Sequence, residues 1–132
     1  MSNKEQLIQA AVQMKNKAYV PYSKFPVGAA LLTASGKIYT GCNIENAAYS
    51  VTCCAERVAI FKAVSEGETD FVGMAVAANT KRPVPPCGAC RQVMSEFFTD
   101  SMPIHLTNEA EKHETFSMKE LLPFSFSPQD MD

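Results

Sequence analysis

The run Phe71-Val72-Gly73-Met74-Ala75-Val76-Ala77-Ala78 sets eight residues side by side without a charge. Such a stretch reads as a strand buried on both faces, and a strand of that kind needs helices above and below it. The flanking patterns offer them. Ser2 with Glu5 three residues later fits a capping box, and Leu7, Ile8, Ala11, Met14 and Ala18 follow close to helical spacing. The first helix is therefore expected from about Asn3 to Ala18. Pro21 and Pro26 break that pattern, after which Val27–Thr33 and Ile38–Cys42 read as two strands of a hairpin turned at Ala34-Ser35-Gly36-Lys37. A second helix is expected from Cys54 to Glu66, ended by Gly67. The segment from Asn79 to Pro86 holds three prolines and cannot be regular structure. From Cys87 the chain turns helical again, with Val93, Met94 and Phe97 on one stripe, and Ile104–Thr107 is a short strand. Ser117 and Glu120 form another capping box, for a short helix from Met118 to Leu122 stopped by Pro123. Helix, hairpin, helix, strand, helix, strand is the order of an α/β layered domain.

At 132 residues the chain fits a single domain, residues 1–132, and its 46% apolar content is enough for a core without disulfide staples. Twelve Lys and Arg against 14 Asp and Glu give a net charge of −2. That balance argues against nucleic acid as a partner, since affinity for a phosphate backbone comes from clustered cations. No apolar run approaches the ~18 residues that span a bilayer, so no membrane is expected. The first residues lack a basic segment followed by an apolar run, and a soluble cytoplasmic protein is the expectation. Five cysteines, Cys42, Cys53, Cys54, Cys87 and Cys90, are then an odd set for a disulfide framework, and metal binding or catalysis is the better use for them.

Cys87 and Cys90 stand at the start of a helical pattern with two residues between them, so both sulfurs can face one point, as a chelating pair requires. A dithiol redox site uses the same spacing. Thr52-Cys53-Cys54-Ala55-Glu56-Arg57 separates the two readings, because it puts a third cysteine at another helix start with a carboxylate two positions later. Three sulfur ligands leave a tetrahedral zinc with one open position for water. A carboxylate beside that water can accept its proton without being a ligand, and Glu56 is spaced to do so. Three thiolates make such a zinc a weaker acid than imidazoles would. The two helix N-termini and Arg57 are expected to offset them at the sulfurs. Cys42 and Cys53 read as small buried hydrophobes, although either as a fourth ligand would make the site structural. Arg91 reads as a solvated helix charge. His105 and His113 have no motif partner, which leaves a serine triad or a histidine metal site unsupported.

The chain resembles the small homotetrameric cytidine deaminases over almost its whole length. The resemblance lies in Pro21-Tyr22-Ser23-Lys24-Phe25, Val27-Gly28-Ala29-Ala30, Gly41-Cys42-Asn43-Ile44-Glu45-Asn46-Ala47, Cys54-Ala55-Glu56-Arg57 and Pro86-Cys87-Gly88-Ala89-Cys90-Arg91-Gln92. Zinc deaminases carry a His-x-Glu and a Pro-Cys-x-x-Cys signature, with a variant in which cysteine replaces the histidine. This sequence has the variant. The resemblance implies a three-layer α/β/α fold with a mixed five-stranded sheet between helices. It implies that Cys54, Cys87 and Cys90 hold one Zn2+ per subunit. A zinc-bound hydroxide would attack the ring carbon bearing the amino group, with Glu56 as proton shuttle, and convert cytidine, or deoxycytidine, to the uridine form plus ammonia for pyrimidine salvage. By the same resemblance Asn43 and Glu45 hold the ribose hydroxyls, Phe25 packs on the base, the Ala55 backbone contacts the pyrimidine edge, and Glu45 disfavours a substrate phosphate. Leu121-Leu122-Pro123 followed by Phe126 implies a homotetramer in which Phe126 reaches a neighbouring subunit's site. Phe124 is the other candidate for that contact. A deaminase of another aminopyrimidine nucleoside is the first alternative reading, and a dithiol redox protein or a structural zinc protein are the others.

Overall fold

The computed structural model describes residues 2–108 and 112–131. Helix α1 (Asn3–Met14) is capped by Ser2, whose hydroxyl accepts the Glu5 N–H at 3.2 Å. It tightens into a 3-10 turn over Lys15–Lys17, so the helix stops short of Ala18. Strands β1 (Val27–Thr33) and β2 (Ile38–Cys42) make the hairpin with the expected bounds, and Gly36 takes the positive φ of 93° that its turn needs. Helix α2 (Ala55–Ser65), strand β3 (Phe71–Ala78) and helix α3 (Gly88–Phe97) follow, then strands β4 (Pro103–Thr107) and β5 (His113–Ser117) and the short helix α4 (Met118–Leu121).

The five strands form one mixed sheet in the order β2-β1-β3-β4-β5, in which only β3 and β4 run parallel. The central strand β3 is covered on both faces, as its uncharged sequence requires. Ala75 and Ala77 meet Ala30 and Leu32 of β1 beneath Leu7 and Ala11 of α1. Met74 and Val76 face the other way, into the larger core with Ala59 and Ile60 of α2 and Met94 of α3. A bulge between Leu32 and Thr33 changes the register, which is why Phe71 joins that same core instead of the α1 side. The result is the α/β/α layering with a mixed five-stranded sheet.

Strand β5 is the element that hydrophobic periodicity does not reveal. His113-Glu114-Thr115 is exposed, and the strand is held by antiparallel pairing from Pro103↔Ser117 to Thr107↔His113. An edge strand with polar residues resists pairing with other chains, so it carries little apolar signal. The charged stretch containing it begins at Glu109, and residues 109–111 lie outside the described ones. His105 is buried in β4 with Nδ1 2.8 Å from Thr115 Oγ1, a hydrogen bond between strands.

The distance between sheet and α2 decides where the functional face lies. Gly41 has no side chain, and a Cβ there would press into the Ala55 carbonyl oxygen and sit 2.6 Å from the Ala59 nitrogen. The first turn of α2 thus rests directly on β2, with Cys54 fixed just before it. Gly41→Ala is expected to destabilise the fold by about 1–3 kcal/mol through overpacking, and to lower zinc occupancy by shifting the start of α2. Chemical denaturation and metal analysis of the purified variant check both effects.

Candidate metal centre and active site

Cys54 and Cys87 are the N-cap residues of α2 and α3, each with extended backbone (ψ 156° and 163°), and neither sulfur caps its own helix. Cys90 follows in the first turn of α3. The sulfurs of all three lie within 4.8 Å of one another: Cys54 Sγ is 3.8 Å from Cys87 Sγ, which is 3.3 Å from Cys90 Sγ. Sulfurs bound about 2.3 Å from a tetrahedral ion stand about 3.8 Å apart. The Cys54–Cys87 pair already has that spacing, the Cys87–Cys90 pair has to open by about half an ångström, and the Cys54–Cys90 pair lies within 4.8 Å, so the cluster fits a zinc ion. Among the described residues no fourth histidine, cysteine or carboxylate joins the group. Cys42 is buried and its Sγ donates to the Lys17 carbonyl at 3.4 Å. Cys53 belongs to a β-bridge with Ile44 and is also outside the cluster.

The protonation of the sulfurs depends on their neighbours. The Cys90 thiol, with Arg57 and Cys87 adding to it, holds Cys54 down at about 5. Cys90 is pushed above the usual thiol range, first by its hydrogen bond to Cys54 and then by burial. Arg57 turns inward rather than to solvent: Nη2 donates to Cys54 Sγ at 3.4 Å and to the Thr52 carbonyl at 3.3 Å. Its Nε is buried without a hydrogen-bond partner. The guanidinium is therefore committed to the sulfur side, where its charge opposes that of the Cys54 thiolate, as do the positive N-terminal ends of α2 and α3.

Glu56, in the first turn of α2, is only 4% exposed. Burial pushes its carboxyl up to about 7, and the Cys54 thiolate adds to the rise. A carboxyl of that kind can both take and give a proton near neutrality. It lines a cavity of about 240 Å³ together with Phe25, Asn43, Ala55, Cys54 and Cys87. Six of the sequence-expected residues thus meet at one cavity. Val84, Pro85 and Pro86 close its wall, although the sequence marked that segment only as irregular. Proline fixes φ, so the run that excludes helix and strand also stiffens the approach to Cys87. A larger groove of about 390 Å³ between α1 and His113 is remote from the sulfurs.

Asn43 and Glu45 also hold their own loop. Asn43 Oδ1 accepts the Val27 N–H at 2.9 Å, and Nδ2 donates to the Phe25 carbonyl at 2.8 Å. Glu45 Oε1 accepts the N–H groups of Tyr22 and Ser23 at 3.0 and 3.1 Å. The Ser23 hydroxyl and these N–H groups keep the Glu45 carboxyl below the usual carboxylate range. Glu45 does not line the cavity, nor does Phe126, which is 58% exposed on the C-terminal tail. Phe124 is fully exposed at φ 52°. Arg91 is not a solvated charge: its guanidinium donates to the Pro86 carbonyl at 2.8 Å and the Leu121 carbonyl at 2.7 Å.

The geometry separates two classes of cysteine. Cys54→Ser or Cys90→Ser is expected to release most of the metal, whereas Cys42→Ser and Cys53→Ser retain about one equivalent, as measured by elemental analysis after dialysis.

Comparison with known proteins agrees with the cluster. Residues 1–106 match the model of the cytidine and deoxycytidylate deaminase zinc-binding region. A cytidine deaminase of Sporosarcina psychrophila is 57% identical over 127 residues, covering 96% of this chain and 93% of that protein. One of Halalkalibacterium halodurans is 52% identical over 130 residues and 98% of both. The crystal structure of cytidine deaminase from Burkholderia pseudomallei superposes with a TM-score of 0.91 at 45% identity, covering 96% of this chain and all of that one. With three clustered sulfurs, a buried carboxyl at the cavity that Cys54 and Cys87 line, and relatives of this similarity over nearly its full length, the chain belongs to the cytidine and deoxycytidylate deaminase zinc-binding family.

Proposed function

We propose that the protein hydrolyses the amino group from cytidine and deoxycytidine, giving uridine or deoxyuridine and ammonia. The observation that carries this reading is a buried Glu56 that lines, with Cys54 and Cys87 of the three-sulfur cluster, a cavity of about 240 Å³. Cys54, Cys87 and Cys90 hold one zinc per subunit. A zinc ion in that position supplies Lewis acidity, which can lower the pKa of a water from about 15.7 toward about 7. Glu56 does the proton work. Its carboxylate takes one proton from the attacking water and passes it to the ring nitrogen beside the amino-bearing carbon, then takes the second from the hydroxyl left on that carbon and gives it to the amine as it leaves. The water supplies the new carbonyl oxygen, and ammonia carries away the displaced nitrogen.

Phe25 packs on the base, and the Ala55 backbone meets the pyrimidine edge. Asn43 and Glu45 read the ribose hydroxyls with the hydrogen-bonding capacity that their loop leaves free, since an amide donates and accepts and a carboxylate has several lone pairs. A carboxylate at that place favours a free nucleoside over a nucleotide. Arg57 offsets the sulfur charge through its bond to Cys54 Sγ.

The subunit is a single domain that acts as a homotetramer, with Phe126 entering a neighbour's site. The exposure of Tyr49, Phe124 and Phe126 supports an apolar surface buried between copies. No described helix is long and apolar enough to cross a membrane. Five free cysteines, three of them with clustered sulfurs, suit the reducing cytoplasm, where pyrimidine nucleosides are salvaged.

Adding cytidine to the zinc-loaded protein should lower the ultraviolet absorbance of the substrate and release ammonia in equal amount. Glu56→Gln is expected to cut kcat by at least about 10²-fold, the scale of acid–base catalysis, with zinc retained. Turnover by that variant at the native rate would sink the reading. Arg57→Gln is expected to lower kcat by about tenfold or more while metal content stays near native; an unchanged rate at full occupancy would remove Arg57 from the mechanism.

A further inference from the structure

The C-terminal tail is tied to the helix that carries two of the metal ligands. Arg91, directly after Cys90, reaches the Leu121 carbonyl with Nη1 at 2.7 Å and the Pro86 carbonyl with Nε at 2.8 Å. Gln92 reaches the Phe126 carbonyl with Nε2 at 3.1 Å. The two residues thus grip both ends of the segment from Leu121 to Phe126. Between the grips the chain reverses through Phe124, at a φ of 52°. Leu121 is buried in the core, so the segment has one fixed root, yet the Phe126 ring is 58% exposed and absent from its own cavity. A terminal segment with no such ties is poorly ordered. The bonds therefore hold the backbone and leave the aromatic ring free to project.

We infer that Arg91 and Gln92 are positioning residues that clamp the tail on α3, so that Phe126 is presented at a set place to a second copy of this chain. This rests on the reading that Phe126 completes a neighbouring site. The guanidinium suits the first grip because its planar fork offers donors in fixed directions to two carbonyls at once, which a lysine ammonium on a flexible stem does not reproduce. The same fork joins Pro86, which precedes the ligand Cys87, to the root of the tail. One subunit's metal loop and the aromatic group it lends to its neighbour are consequently held by a single side chain. Gln92 supplies the outer grip from an exposed position, where replacement leaves the core untouched.

The test is a set of full-length variants assayed for KM, kcat, zinc content and oligomeric size. Gln92→Ala is expected to raise KM for cytidine about three- to tenfold with kcat within about twofold and zinc unchanged. Gln92→Glu, which sets an acceptor against the Phe126 carbonyl, raises it further. Arg91→Lys, which keeps the charge but not the fork, raises KM in the same direction. Phe126→Ala raises KM by itself, and combining it with Gln92→Ala adds nothing, because the clamp acts only through the ring. An unchanged KM in Gln92→Ala, or effects that multiply in the double variant, overturns the clamp. An unchanged KM in Phe126→Ala overturns instead the reading that Phe126 completes a neighbour's site, and with it this inference.

Discussion

Three sulfurs share a space less than 5 Å across, any negative charge they carry has to be compensated there, and the architecture is organised around that need. Two helices start at the same place, with Cys54 and Cys87 as their N-cap residues, and bring their positive N-terminal ends near the sulfurs. Arg57 adds a full positive charge through Nη2, 3.4 Å from Cys54 Sγ. None of this works unless α2 lies tight on β2, which is why small residues face each other there: Gly41 on the strand, Ala55 and Ala59 on the helix. The sheet is the rigid reference. Its central strand is buried on both sides, so a shift of either helix layer would have to displace packed core.

Much of this was legible in the sequence, for reasons specific to each element. Strands β1, β2 and β3 took their expected bounds because they are dense in small and apolar residues and end at turn-forming or polar ones. The cysteines and Glu56 could be read because chelation demands short spacings and a helix start, both of which are local. Strand β5 was hidden because an exposed edge selects for polar side chains, and only its pairing partner makes it a strand. The reach of Arg91 to Leu121 was hidden for another reason. Thirty residues separate them, and a guanidinium that binds carbonyls has the same letter as one that points into water.

The cavity shows how few residues define a nucleoside-sized space when the backbone does part of the work. Proline in the approach to Cys87 and Ala55 at the start of α2 contribute walls and main-chain edges, not long side chains. The carboxyl that lines it, on Glu56, is buried enough to be protonated or not near neutrality. Burial that would be a plain cost elsewhere is what gives Glu56 a useful acidity here.

Asn43 and Glu45 carry a further implication. The side chains proposed to read the sugar also fasten the backbone on either side of Phe25, the proposed wall against the base. Acceptance of a new sugar and acceptance of a new base therefore cannot drift apart during evolution by changes at these two positions. A lineage that altered either residue to admit a different pentose would loosen its grip on the heterocycle as well, and would need compensating replacements in the Tyr22–Phe25 turn before the new preference could be kept.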